Sequence, residues 1–117
     1  MFTPASQSRI WLCTRPVDMR KSFDGLSALV RNQMGGNPVN GDYFIFINRR
    51  QTHMKILYFD VSGFCLWAKR LEQGQFRLTP SLDGHRIIRA VDLQLLLEGI
   101  EIQKARRFKR YRHGMKA

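Results

Sequence analysis

The sequence predicts an α+β fold: an antiparallel β-meander of four or five strands with two helices packed on it, followed by a basic C-terminal arm. Three observations predict it. Apolar residues recur at helical spacing over residues 19–34 and again over residues 93–100. Between those stretches, short apolar and aromatic runs alternate with glycine-containing turns over residues 43–78, the pattern of strands joined by hairpins. A chain of 117 residues, 44% of them hydrophobic, suffices for one packed core and no second one. Helices set apart from a continuous run of strands give α+β with an antiparallel sheet, which leaves the other sheet face or an edge available.

Taken in order, residues 1–7 are a loose start. The run "RIWLCT" at residues 9–14 is a short strand stopped by Arg15 and Pro16. Asp18 is then the expected N-cap of a helix reaching about Met34, with Met19, Phe23, Leu26, Val30 and Met34 on its apolar face. "GGNPVNGD" at residues 35–42 ends that helix. "YFIFIN" (43–48), "MKILYF" (54–59) and "FCLWAKRL" (64–71) are strands joined by the loop "RRQTH" and the turn "DVSG". "EQG" is a further turn, after which "QFRL" (75–78) closes the meander. "RII" (86–88) is one more short strand candidate, and Leu93, Leu96, Leu97 and Ile100 predict a second helix over about residues 90–98, with Gly99 at its C-terminal end. The expected division is one α+β domain over residues 1–102 and a basic tail over 103–117.

Charge is unevenly placed. Of 20 Lys and Arg against 9 Asp and Glu, residues 103–117 hold 7 cations and no acid, so the net +11 divides into +7 for the tail and +4 for the rest. Clustered positive charge of this kind is the footprint of a polyanionic partner. Two cysteines, Cys13 and Cys65, lie in apolar runs and are expected to be reduced, buried thiols of a cytoplasmic protein, with nothing requiring a disulfide between them. No charged-then-apolar leader and no 18-residue apolar run is present, so neither secretion nor a membrane span is expected.

The residues argue against catalysis. A metal-dependent nuclease needs carboxylates converging on paired cations, yet Asp18, Asp60 and Asp83 stand where a cap or turn residue belongs. His53, His85 and His113 are not paired in sequence with a cysteine, and no CxxC, HxxxH, P-loop or GxGxxG occurs. No catalytic residue, metal site or cofactor is therefore expected. The tail offers binding instead. It interleaves Phe108 and Tyr111 with Lys104, Arg106, Arg107, Lys109, Arg110 and Arg112, pairing cations for phosphates with rings that stack on exposed bases. Arg49 and Arg50 at a hairpin tip and Lys69 with Arg70 at a strand end form a second basic set, able to join the tail if the tips lie side by side.

Three blocks, "DMRKSFDGL" (18–26), "FIFINRRQTHMKILYFDVSGFCLWAKRLEQGQF" (44–76) and "LLLEGIE" (95–101), closely resemble the small accessory protein encoded by the second open reading frame of insertion sequence family 66, usually called TnpB. The RNA-guided nuclease that shares those letters is a different protein. The resemblance covers about residues 9–102 and implies a role in transposition beside a separate, larger transposase that carries the acidic catalytic residues. Ser22 stands where the family often has glycine, "RLTPS" lacks the tryptophan usual before its proline, and the tail is longer and more basic than the common ending. Among the matching positions, Asp18, Asp24, Gly25, Asp60, Gly63 and Gly74 suit caps and turns, whereas Arg20, Lys21, Arg49, Arg50, Lys55, Lys69 and Arg70 are cations that local structure does not require. Together with the six tail cations, these are the expected nucleic-acid contacts. Two readings stand: an accessory protein that binds DNA at the element's ends or bridges the transposase complex, and a module that binds the transposase or the other small accessory protein without touching DNA. Oligomeric state stays open between them.

Overall fold

The computed structural model describes residues 4–99. Five strands, β1 (Ile10–Cys13), β2 (Tyr43–Ile47), β3 (His53–Asp60), β4 (Gly63–Arg70) and β5 (His85–Ile88), form one sheet in the order β4-β3-β2-β1-β5. Two helices, α1 (Phe23–Leu29) and α2 (Ala90–Leu97), complete the α+β architecture. The central hairpins are antiparallel as expected, with Ile45 opposite Ile56 and Leu57 opposite Leu66.

The sheet is not a simple meander. β1 lies parallel to β2, with Trp11 beside Phe44, and β5 runs antiparallel along the far side of β1, with Trp11 beside Ile87. The parallel pair follows from the helical crossover between β1 and β2, which returns the chain in the same direction. "QFRL" forms no strand. After β4 the chain crosses the β2–β3 turn, where the Phe76 amide donates to the Gln51 carbonyl at 2.7 Å and the Phe76 ring is fully buried. It then reaches the opposite edge of the sheet, where Thr14 and Ser81 share a hydroxyl hydrogen bond of 2.8 Å.

Strand alternation gives the sheet two apolar faces, and a helix covers each. Ile10, Leu12, Ile45, Ile47, Met54 and Ile56 pack with Leu93, Leu96 and Leu97 of α2. Cys13, Phe44, Phe46 and Leu57 pack with Leu26 of α1 and with Val30 and Met34 just beyond it. Of the two expected possibilities, an open face or an open edge, the faces are covered and the β4 and β5 edges stay open among the described strands. At about 1.5–3 kcal/mol for each large apolar side chain buried, these two layers supply the driving force of the fold.

The first helix starts later than Asp18. The Asp18 carboxylate accepts the Arg20 amide at 2.8 Å, a local turn that competes with helix formation. The Lys55 ammonium donates to the carbonyls of Met19 at 2.7 Å and Lys21 at 2.9 Å, so those carbonyls are turned away from helical partners. The first helical bond runs from the Leu26 amide to the Ser22 carbonyl, and Phe23 ends up 42% exposed rather than on the buried stripe. α1 continues as a π-helical turn, Val30–Met34, which Gly35 terminates at φ +70°, a conformation that glycine adopts without steric cost. Cys13 is buried and Cys65 half-buried; both are free and they point to opposite faces of the sheet. No helix among the described residues is long and apolar enough to cross a membrane.

Candidate nucleic-acid interface

One end of the sheet gathers the β2–β3 turn, the loop of residues 16–22, the end of β4 and the exit from α2. The turn is held by Asn48. Its side-chain oxygen accepts the amides of Thr52 at 2.9 Å and His53 at 3.0 Å, and its backbone carbonyl accepts the Gln51 amide at 3.0 Å. Gln51 sits at φ +62° to close the turn. With its oxygen so engaged, the Asn48 amide nitrogen faces the His53 Nδ1 at 3.3 Å as a donor. Nδ1 therefore accepts, and the ring hydrogen belongs on Nε2.

The chain after β4 straps the same turn from outside. Leu71 donates to the Thr52 carbonyl at 2.9 Å, Phe76 to Gln51, and the Gln75 side-chain amide to the Arg50 carbonyl at 3.0 Å. Arg49 and Arg50 stand exposed on this braced turn, and neither guanidinium makes a hydrogen bond or ion pair within the described residues. The loop beside them is pinned by the Val17 amide, which donates to the Ile47 carbonyl at 2.9 Å.

Two adjoining recesses share Met19. The larger, about 500 Å³, lies between residues 16–19 and the turn and is walled by Asp18, Asn48, Arg49 and Arg50. The smaller, about 230 Å³, is lined by His53, Lys55, Ala68, Lys69 and Arg70 around Met19. Arg49, Arg50, Lys55 and Arg70, inferred from the sequence as contacts, thus come together, whereas the Lys69 ammonium lies on the other face at the end of α2 and Lys21 meets Lys55 through its backbone carbonyl.

Their side chains differ in freedom. Arg20 turns onto Asp18 in a bidentate pair with a shortest distance of 2.6 Å, and that guanidinium, then the Arg20 amide, lowers the Asp18 carboxyl to about 2. Lys55 is tied to two carbonyls, so it does have a local structural job. Strand alternation separates Lys69 from Arg70. Lys69 opposes Met54 on the α2 face and donates to the last helical carbonyl, Leu97, at 3.1 Å. Arg70 opposes His53 and pairs with the exposed Glu72 at 2.9 Å. Lys104, Arg106, Arg107, Lys109, Arg110 and Arg112 lie outside the described residues. His53, expected in the hairpin loop, instead opens β3 opposite Arg70 and lines the smaller recess.

The two buried acids among the described residues are held by structural partners. Asp42 accepts the Arg9 amide, the Trp11 indole N–H and the Asn40 amide, and Asp92 pairs with Arg89 at 3.0 Å to cap α2. Among the described residues no cluster of three or more His, Cys, Asp or Glu is placed to hold a metal ion.

The family model of the IS66 Orf2-like proteins matches residues 8–107. Two proteins of Sinorhizobium fredii are similar over nearly the whole length. Uncharacterized protein y4jC is 35% identical over 107 residues, covering 92% of this chain and 92% of its own. Uncharacterized protein y4hO is 37% identical over 100 residues, covering 84% of this chain and 86% of its own. No solved structure matches.

Proposed function

The chain belongs to the IS66 Orf2-like family, which makes it an insertion-sequence accessory protein, and from that premise we propose that it contacts DNA within the transposition machinery through the basic end of its sheet. The observation that carries this reading is the gathering of Arg49, Arg50, Lys55 and Arg70 about two adjoining recesses, with Arg49 and Arg50 exposed and without a hydrogen-bond or ion-pair partner among the described residues. Cations on a fixed scaffold displace the counterions condensed on DNA without first losing conformational entropy.

The exit of the chain supports it. A Cβ at Gly99 would lie 3.2 Å from the Gln75 carbonyl and 3.9 Å from Leu71, so α2 ends against the strap that braces the turn. Lys104 follows five residues later, a reach of at most about 18 Å on an extended chain. The seven cations of residues 103–117 therefore begin within range of the same surface and can reinforce it.

The test is titration of labelled duplex from the element's ends at about 50 mM salt, with wild type, Arg49→Ala/Arg50→Ala and a chain ending at residue 102. Weakened binding in each variant supports the reading. No binding by the wild type, together with capture of the element's transposase by the chain ending at residue 102, replaces it with a protein-binding module.

A further inference from the structure

We propose that the β2–β3 turn reads the minor groove of A·T-rich duplex DNA through Arg49 and Arg50, an inference that rests on the DNA-contact reading above. Part of the turn's backbone is occupied within the described residues. The Asn48, Arg50 and Gln51 carbonyls accept hydrogen bonds from Gln51, Gln75 and Phe76, and the Gln51 and Thr52 amides donate to Asn48. What remains exposed on the turn is the pair of side chains of Arg49 and Arg50, beside their own backbone amides. Arg9, Arg20, Arg70 and Arg89 each have a carboxylate within 3.6, 2.6, 2.9 and 3.0 Å, whereas Arg49 and Arg50, like Arg15, Arg31, Arg77 and Arg86, have none among the described residues.

Sheet order selects the groove. A two-stranded ribbon standing free can enter a major groove about 12 Å wide. Here β2 and β3 are interior strands, flanked by β1 and β4, so the pair cannot enter as a free ribbon, and what it offers at this end is the exposed Arg49 and Arg50 of its turn. A groove about 6 Å wide admits a guanidinium, and where A·T tracts narrow it the negative potential is strongest. The guanidinium is also more weakly hydrated than an ammonium, which makes arginine rather than lysine the residue for such a confined site.

The test compares A·T-rich duplex, G·C-rich duplex of equal length and the A·T-rich single strand, at one salt concentration, using full-length wild type and Arg49→Lys/Arg50→Lys. The variant keeps the net charge, and neither guanidinium has a hydrogen bond or ion pair among the described residues to lose, so its thermal melt serves as the folding control. The expected result is a preference of about tenfold or more for the A·T duplex, falling to within about twofold in the lysine variant. A minor-groove-binding bis-benzimidazole should displace the wild type from the A·T duplex. Equal binding of the two duplexes, an unchanged preference in the lysine variant, or tighter binding of the single strand overturns the inference while leaving DNA contact in place. Binding of no DNA at low salt overturns the DNA-contact reading itself.

Discussion

Replacing Lys55 with methionine removes one ammonium and keeps the length of its stem. In the structure that ammonium donates to the Met19 carbonyl at 2.7 Å and the Lys21 carbonyl at 2.9 Å, fixing the segment that leads into α1. The Met19 bond is half-buried and the Lys21 bond is exposed, so water recovers the second carbonyl far better than the first. A charge-assisted hydrogen bond to a half-buried acceptor contributes about 1.5–3 kcal/mol and an exposed one far less, which gives about 2 kcal/mol of lost stability. For a chain of this size that corresponds to roughly 6–12 °C in Tm. Thermal and urea unfolding followed by circular dichroism measure it. DNA affinity of the variant should fall by more than the loss of one phosphate contact, because Lys21 and Met19 lose their anchor. A Tm within about 1 °C of wild type, the ordinary result for a free surface cation, would refute the structural role assigned to Lys55.

Other consequences are as direct. Val61, 95% exposed at φ +44°, is a β-branched residue in the left-handed region; Val61→Asn should raise stability by about 1 kcal/mol, read as a higher Tm. Asp18 is held at about 2 against an ordinary 3.8, so its contribution is complete above pH 3.8 and is lost as pH falls toward 2. Acid unfolding of Asp18→Asn should lack that component, and identical acid limbs for variant and wild type would contradict the pairing with Arg20. Burial pushes the Cys13 thiol up, while Cys65 is only half-buried. Iodoacetamide should therefore label Cys65 first in the native protein, a sequence that peptide mapping resolves.

The elements legible in the sequence were those fixed by local signals. β2, β3 and β4 announced themselves by apolar runs between short turns, and α2 by the spacing of Leu93, Leu96 and Leu97. The start of α1 was hidden because Asp18 can cap a helix or close a turn, and Lys55, 36 residues away from Met19, decides between them. The parallel β1–β2 pair and the place of β5 beside β1 depend on long-range pairing that no local pattern encodes. "QFRL" has the composition of a strand, but its phenylalanine is buried over the end of the sheet and its amide is taken by the turn. In the candidate site, Arg49 and Arg50 were legible as a hairpin tip. The division of Lys69 from Arg70 follows from strand alternation, yet it matters only once α2 is known to end at Lys69.

The salt dependence of binding tests the central claim most directly. With about five cations engaging phosphates of a duplex, log affinity should fall against log salt concentration with a slope of about −4 to −5, and Arg49→Ala/Arg50→Ala should flatten it by up to about 2. A slope near zero, or one unchanged by removing both arginines, would contradict a DNA contact built on this end of the sheet.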